Sequence, residues 1–168
     1  MRIAVCTSLD RIDPAYSITH VVVDQLTMLV RAGHEPILFT HQGELPDILP
    51  LPDRKMVGVR QCDQTGGQLV EALISGDFSV VFTHDLISHV SNRQVADILA
   101  LAGPSLSTSR FFHWIHSIPT QRLSWWDLNR YGDNHLIVYP NCMHAAATAD
   151  QFNTTRDRVK IIPHTVDL

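Results

Sequence analysis

Short β-prone runs alternate with segments of helical period along the whole sequence, and that alternation restricts the chain to an α/β architecture. Ile3 to Cys6 reads as a short buried strand, followed by a loop from Thr7 to Ser17 that carries Asp10, Asp13 and Pro14. A helix is expected from about Ile18 to Ala32, because Val22, Leu26, Leu29 and Val30 fall on one face and Gly33 suits the position just past its end. Ser17 or Thr19 can cap its start. Glu35 to Thr40 is the next strand, with Pro36 tolerable near its beginning. The order strand, loop, helix, strand opens a right-handed Rossmann-like unit.

The rest of the chain continues the pattern. His41 to Lys55 is a connector punctuated by Pro46, Pro50 and Pro52, and Met56 to Val59 reads as a third strand. Thr65-Gly66-Gly67 opens a helix that reaches about Ser75 and ends at Gly76. Phe78 to Thr83 is a strand running straight into His84-Asp85. Ser91 can cap a helix whose Val95, Ile98, Leu99 and Ala102 share a face, closed by Gly103-Pro104. Phe111 to Ser117 is bulky and β-prone and is stopped by Ile118-Pro119. Gln121 to Asp133 reads as irregular or a short helix, Leu136 to Tyr139 as a strand, Cys142 to Phe152 as a helix, and Val159 to Ile162 as the last strand. The prediction is a single domain over residues 1–168: a doubly wound, mostly parallel Rossmann-like sheet with helices on both faces.

In such a sheet, ligands sit beyond the carboxyl ends of the strands. Alternation puts Phe112, Trp114 and His116 on one face of their strand, and Phe111, His113, Ile115 and Ser117 on the other. His116 therefore stands at the rim of the crevice, with His113 as the alternative if the register differs. His84 and Asp85 end the preceding strand, so they either bind a hydroxyl-bearing acceptor or cap the following helix. Neither the His84/His89 nor the His113/His116 spacing matches an i, i+4 helical pair, so no metal site is expected. Thr65-Gly66-Gly67 lacks the other residues of a phosphate-binding loop.

Composition narrows the function classes. A formal charge of −4 with no basic stripe argues against nucleic acid as the main partner. Cys6, Cys62 and Cys142 are widely spaced and lack CxxC spacing, so they read as reduced thiols of a cytoplasmic protein. The start, Met1 to Cys6, is too short for a signal segment, and no apolar run reaches the roughly 18 residues that a membrane span needs.

Four segments together resemble the N-terminal half of a GT-B glycosyltransferase, specifically retaining glycosyltransferase family 4. Arg31-Ala32-Gly33-His34-Glu35-Pro36 is similar to the family's L-x-x-x-GHEV turn from helix to strand. Phe78 to Asp85 is similar to its D-V-V-H-x-H strand end, and the strand ending at His116 to its v-x-t-x-H-s/d pattern. Leu136 to Phe152, followed by Arg158 to Asp167, resembles the segment r-V-x-V-I-P-N-G-V-D that leads into the second domain. The order and spacing of these segments span essentially the whole chain. The resemblance implies an acceptor-side domain working with a nucleotide-sugar donor and a sugar, lipid or small-molecule acceptor, without a metal or other cofactor. It also implies a C-terminal donor-binding domain bearing E-x7-E, which these residues do not contain. The chain then reads as a truncated piece or as a lone domain needing a partner subunit, inactive by itself.

The resemblance assigns His116 to the histidine that reaches the donor sugar, where an imidazole can hydrogen-bond a hydroxyl and stabilise charge as phosphate departs. Its neighbour Ser117 falls in the same motif. Where family members carry Gly-Gly before the first helix, this chain has Tyr16-Ser17, followed by Ile18-Thr19-His20. Hydroxyls of Ser17 and Thr19 can still meet phosphate or sugar, but close backbone approach is impaired. Asn141 either lines the crevice or caps the helix that follows it, and Pro163-His164 reads as an interdomain hinge. Trp125 and Trp126, flanked by Arg122 and Arg130, are an acceptor platform or a peripheral membrane contact, unless packing buries at least one of them.

Two other readings compete. One is a non-catalytic interaction module that pairs with a separate donor-binding subunit. The other is a dehydrogenase-type nucleotide binder, disfavoured because Cys6-Thr7-Ser8-Leu9-Asp10 stands where GxGxxG would follow the first strand.

Overall fold

The computed structural model describes residues 1–13, 15–43, 45–116, 123, 125–140 and 145–163. One sheet of eight strands organises them: β1 (Arg2–Thr7), β2 (Glu35–Thr40), β3 (Ile48–Pro50), β4 (Met56–Gln61), β5 (Val80–His84), β6 (Arg110–Trp114), β7 (His135–Tyr139) and β8 (Val159–Ile161). Their order across the sheet is β3-β4-β2-β1-β5-β6-β7-β8. Every neighbouring pair is parallel except β3 with β4. The α-helices among the described residues are α1 (Ser17–Arg31), α2 (Gly67–Ser75), α3 (Arg93–Leu101) and α4 (Ala145–Gln151). None of them is long and apolar enough to cross a membrane.

Strand alternation divides the core in two. Ile3, Val5 and Leu38 join Val22 and Leu26 of α1 and the connector leucines Leu45, Leu49 and Leu51 in one cluster. Ala4, Cys6, Phe39, Val81 and Phe111 join Leu69 of α2 and Val95 and Leu99 of α3 in the other. Each buried leucine or phenylalanine contributes roughly 1.5–3 kcal/mol relative to exposure, which favours one register over a slip by one residue. The result is a mostly parallel α/β sheet of Rossmann-like type.

Several boundaries follow from local chemistry. At the end of α1 the His34 amide donates to Leu29 O (3.0 Å) and the Gly33 amide to Val30 O (3.1 Å). That double closure needs a left-handed residue, and Gly33 provides it at φ 78°. At the start of α1 the outcome differs from expectation. The N-cap is Tyr16, which makes no side-chain cap bond, and Ser17 is already the first helical residue. The connector also holds a strand that its prolines conceal. β3 pairs antiparallel with β4 through Ile48↔Gly58, Leu49↔Val57 and Pro50↔Met56. A proline is tolerated there because β3 is an edge strand with one side unpaired.

Candidate functional site

The chain leaves β1 on one side, builds β2 and β4, and then crosses to β5 on the other side of β1. Strand order reverses at the β1/β5 boundary, where an open α/β sheet leaves a crevice beyond the carboxyl ends. A cavity of about 490 Å³ lies there, lined among others by Ser8, Asp10, Tyr16, His84, Asp85 and His89. Thr7 and His84 are register partners across the boundary, which fixes the floor of the crevice. Carboxylates of Asp10, Asp13 and Asp85 line it together with one guanidinium, that of Arg11, which lies 3.4 Å from Asp13 and so leaves the lining net acidic. Such a lining suits hydroxyl groups, which donate to carboxylates, better than a bare anion.

His84 is buried at 1 % exposure and connects three elements. Its Nε2 lies 2.9 Å from Gln25 Oε1 on α1, and its Nδ1 lies 2.9 Å from His116 Nε2, two residues past the end of β6. The two imidazoles are nearly parallel, with ring centroids 5.1 Å apart, and the Trp114 ring lies 6.0 Å from that of His84. Asp85 holds the same corner. Its Oδ1 accepts the His116 backbone N–H at 3.0 Å and the Ser88 hydroxyl at 3.1 Å. Asp85 adopts left-handed φ 51°, a conformation that a short polar side chain tolerates. Asn92, fully buried, donates Nδ2–H to the Asp85 carbonyl at 3.2 Å and accepts from His41 Nε2 at 3.0 Å. Burial holds the His41 imidazole below its ordinary pKa, and the bond to Asn92 opposes this.

Of the residues singled out from sequence, Tyr16, His84 and Asp85 line the crevice, and His116 is bonded to the last two. Ser17 is exposed at the start of α1 and Thr19 is buried, and neither is among the lining residues. Ser117, Asn141 and His164 lie outside the described residues. Trp126 is buried at 2 % and stacks on Phe152 at 5.2 Å. Trp125 is half-buried beneath the Arg93 guanidinium, 5.1 Å from its ring, and neither tryptophan lines the crevice. Among the described residues, no group of three or more His, Cys, Asp or Glu side chains is arranged to hold a metal ion.

Gln25, Gln42 and Asn92 are the contributors that sequence reasoning missed, and His89, weighed there only as a metal partner of His84, lines the crevice. Gln25 did leave a signal: it falls beside Val22 and Leu26 on the inward face of α1, a polar group where periodicity calls for an apolar one.

His113 takes the opposite role from a crevice residue. It is fully buried on the other face, with Nδ1 2.8 Å from Thr83 Oγ1 and Nε2 2.9 Å from His135 Nδ1. His135 stacks on Phe111 with centroids 4.1 Å apart. Burial pushes the His135 pKa down to about 3, and the nearby Arg158 guanidinium adds to this. Burial also holds His113 well below the ordinary imidazole range, with His135 and Arg158 contributing. This pair is a neutral structural element.

Gly43 supports the crevice wall from behind. It sits at φ 73°, and a Cβ added there would overlap the Asp10 Cα and carbonyl oxygen. Gly33 has similar φ, but a Cβ there would meet nothing within 4 Å. Gly33→Ala therefore pays only the left-handed strain of about 1–2 kcal/mol, whereas Gly43→Ala adds displacement of the Asp10 loop and is expected to lose about 3–4 kcal/mol. Urea unfolding of the two variants decides the point, since equal losses would mean that the Asp10 loop is not packed against Gly43.

No protein-family model and no curated protein matches this sequence.

Proposed function

We propose that this chain is the acceptor-side domain of a retaining glycosyltransferase, one doubly wound half of a GT-B fold. It would work with a donor-binding half and a nucleotide-sugar donor. The observation that carries this reading is His116, bonded to both His84 and Asp85, which line a hydroxyl-suited crevice. A histidine fixed through its ring and its backbone can meet a sugar hydroxyl in one orientation, which is what positioning catalysis requires. Tyr16, Asp85 and residues around them supply acceptors and donors for a polyhydroxylated acceptor. No step in this reading requires a metal.

A second reading has one observation in its favour. Carboxylates of Asp10, Asp13 and Asp85 stand near the start of α1, where a donor phosphate would otherwise approach the helix N-terminus. That arrangement suits a non-catalytic module that pairs with a separate donor-binding subunit. Screening common nucleotide sugars for hydrolysis and transfer by the full gene product, with His116→Ala beside it, separates the two. The transferase reading expects turnover in the parent and a loss of roughly 100-fold or more in a folded variant. A variant as active as its parent removes His116 from the reaction. Absence of turnover with every donor gives the lead to the interaction module.

A further inference from the structure

The hydrogen-bond chain that runs from α1 through β5 to the end of β6 has a direction, and its origin is a residue with no ionisable group. Gln25 is buried at 7 % exposure, and its Oε1 lies 2.9 Å from His84 Nε2. An amide oxygen only accepts, so the hydrogen in this bond belongs to His84 Nε2. A neutral His84 then carries a lone pair at Nδ1. His116 Nε2, at 2.9 Å, must donate to it. Neutral His116 is therefore the Nε2–H form, and its Nδ1 is the ring nitrogen that accepts.

We infer that Gln25 is a positioning residue that sets the tautomers of both histidines, so that neutral His116 carries its hydrogen on Nε2 and has Nδ1 as its accepting nitrogen. Gln25 does this from the inward face of α1, touching the crevice lining only through His84. Three features support it. The bond lengths are ordinary for strong hydrogen bonds in a buried site. The rings of His84 and His116 are inclined by only 11°, and that of Trp114 by 24° to His84, which limits reorientation of either imidazole. The backbone of His116 is fixed independently through Asp85 Oδ1, the carboxylate adjoining this pair. An amide at the inner end is also the choice that keeps the pair neutral, since a carboxylate there would favour an imidazolium.

Its bearing on catalysis rests on the transferase reading, but the order of the hydrogen bonds does not, so the test needs no substrate. Long-range proton–nitrogen correlation spectra of the ¹⁵N-labelled protein, recorded above the titration of both rings, read the tautomer of each histidine. His84→Ala and His116→Ala supply the assignments. The expected result is the Nε2–H pattern for both residues in the wild-type protein. In Gln25→Leu that pattern is expected to be lost from His84, which becomes Nδ1–H or a mixture, with His116 changing alongside it. Gln25→Glu, whose carboxylate only accepts, is expected to retain a hydrogen on His84 Nε2. Finding His84 as Nδ1–H in the wild-type protein overturns the proposal, as does a Gln25→Leu spectrum with unchanged patterns. The wild-type spectrum alone decides the direction of the chain if Gln25→Leu fails to fold. Correct tautomers together with absent turnover would leave this inference standing and remove only the transferase reading.

Discussion

At pH 5 the protein is expected to be at least about 2 kcal/mol less stable than at pH 8, and the loss traces chiefly to His113 and His135. Both imidazoles are buried and neutral, and their pKa values are depressed in the folded state. An unfolded histidine takes up its proton near pH 6.5, so below that value the unfolded chain binds more protons than the folded one. The stabilisation is therefore fully present above about pH 6.5 and is lost as pH falls towards the folded value, about 3 for His135. At pH 5 this amounts to roughly 2 kcal/mol for His135, and His113 and His41, whose imidazoles burial also holds down, add to it in the same direction. Asp63 and Asp157, whose carboxyls are held below their ordinary range by hydrogen bonds from Thr65 and Thr155 respectively, titrate beneath this window. Urea unfolding at pH 8, 6 and 5 measures the slope. In a His113→Phe/His135→Phe double variant the two rings keep their stacking area without titrating, and most of the slope should disappear. A wild-type protein equally stable at pH 8 and pH 5, or a double variant that keeps the full slope, would refute the assignment.

These histidines also show where sequence reading stops. The split of the β6 strand into two faces was legible from alternation alone, and the structure places Trp114 and His116 beside His84 but His113 among Phe111, Tyr131 and His135. The end of α1 was legible too, because a glycine at Gly33 followed an apolar stripe and the closure it makes is local. The pairing of His113 with His135 was not legible. It depends on the register Phe111↔His135 between β6 and β7, which no local pattern specifies. The same holds for Gln25, which meets His84 across 59 residues of sequence. β3 was missed for a different reason: its three residues end in Pro50, and an edge position excuses a proline that in isolation reads as loop. The alternation Leu49-Pro50-Leu51, with both leucines buried, was the trace it left.

Local patterns therefore locate the crevice, whereas long-range polar contacts determine what the crevice can do, and Asn92 is the most consequential of these contacts. Asn92→Leu is expected to destabilise the protein by about 3 kcal/mol, because an apolar side chain of similar size strands several polar groups at once. His41 Nε2 loses its acceptor at 3.0 Å, Gln42 Nε2 loses one at 3.3 Å, and the Asp85 carbonyl loses its donor at 3.2 Å. The last loss reaches the site. Asp85 occupies a left-handed conformation that persists only while its surroundings hold it, and its carboxylate in turn holds the His116 backbone. Freed from Asn92, the Asp85 turn should relax, and the His116 amide hydrogen should exchange with solvent faster by more than global destabilisation alone explains. Asn92→Asp separates the two effects, since a carboxylate still accepts from His41 and Gln42 but offers the Asp85 carbonyl no hydrogen. Its His116 amide should exchange as fast as that of Asn92→Leu, even though more of the other hydrogen bonds survive. If His116 exchange in both variants merely tracks their unfolding free energies, Asn92 belongs to the core and not to the site. If it exceeds them, the crevice geometry is held in place from α3's leading edge.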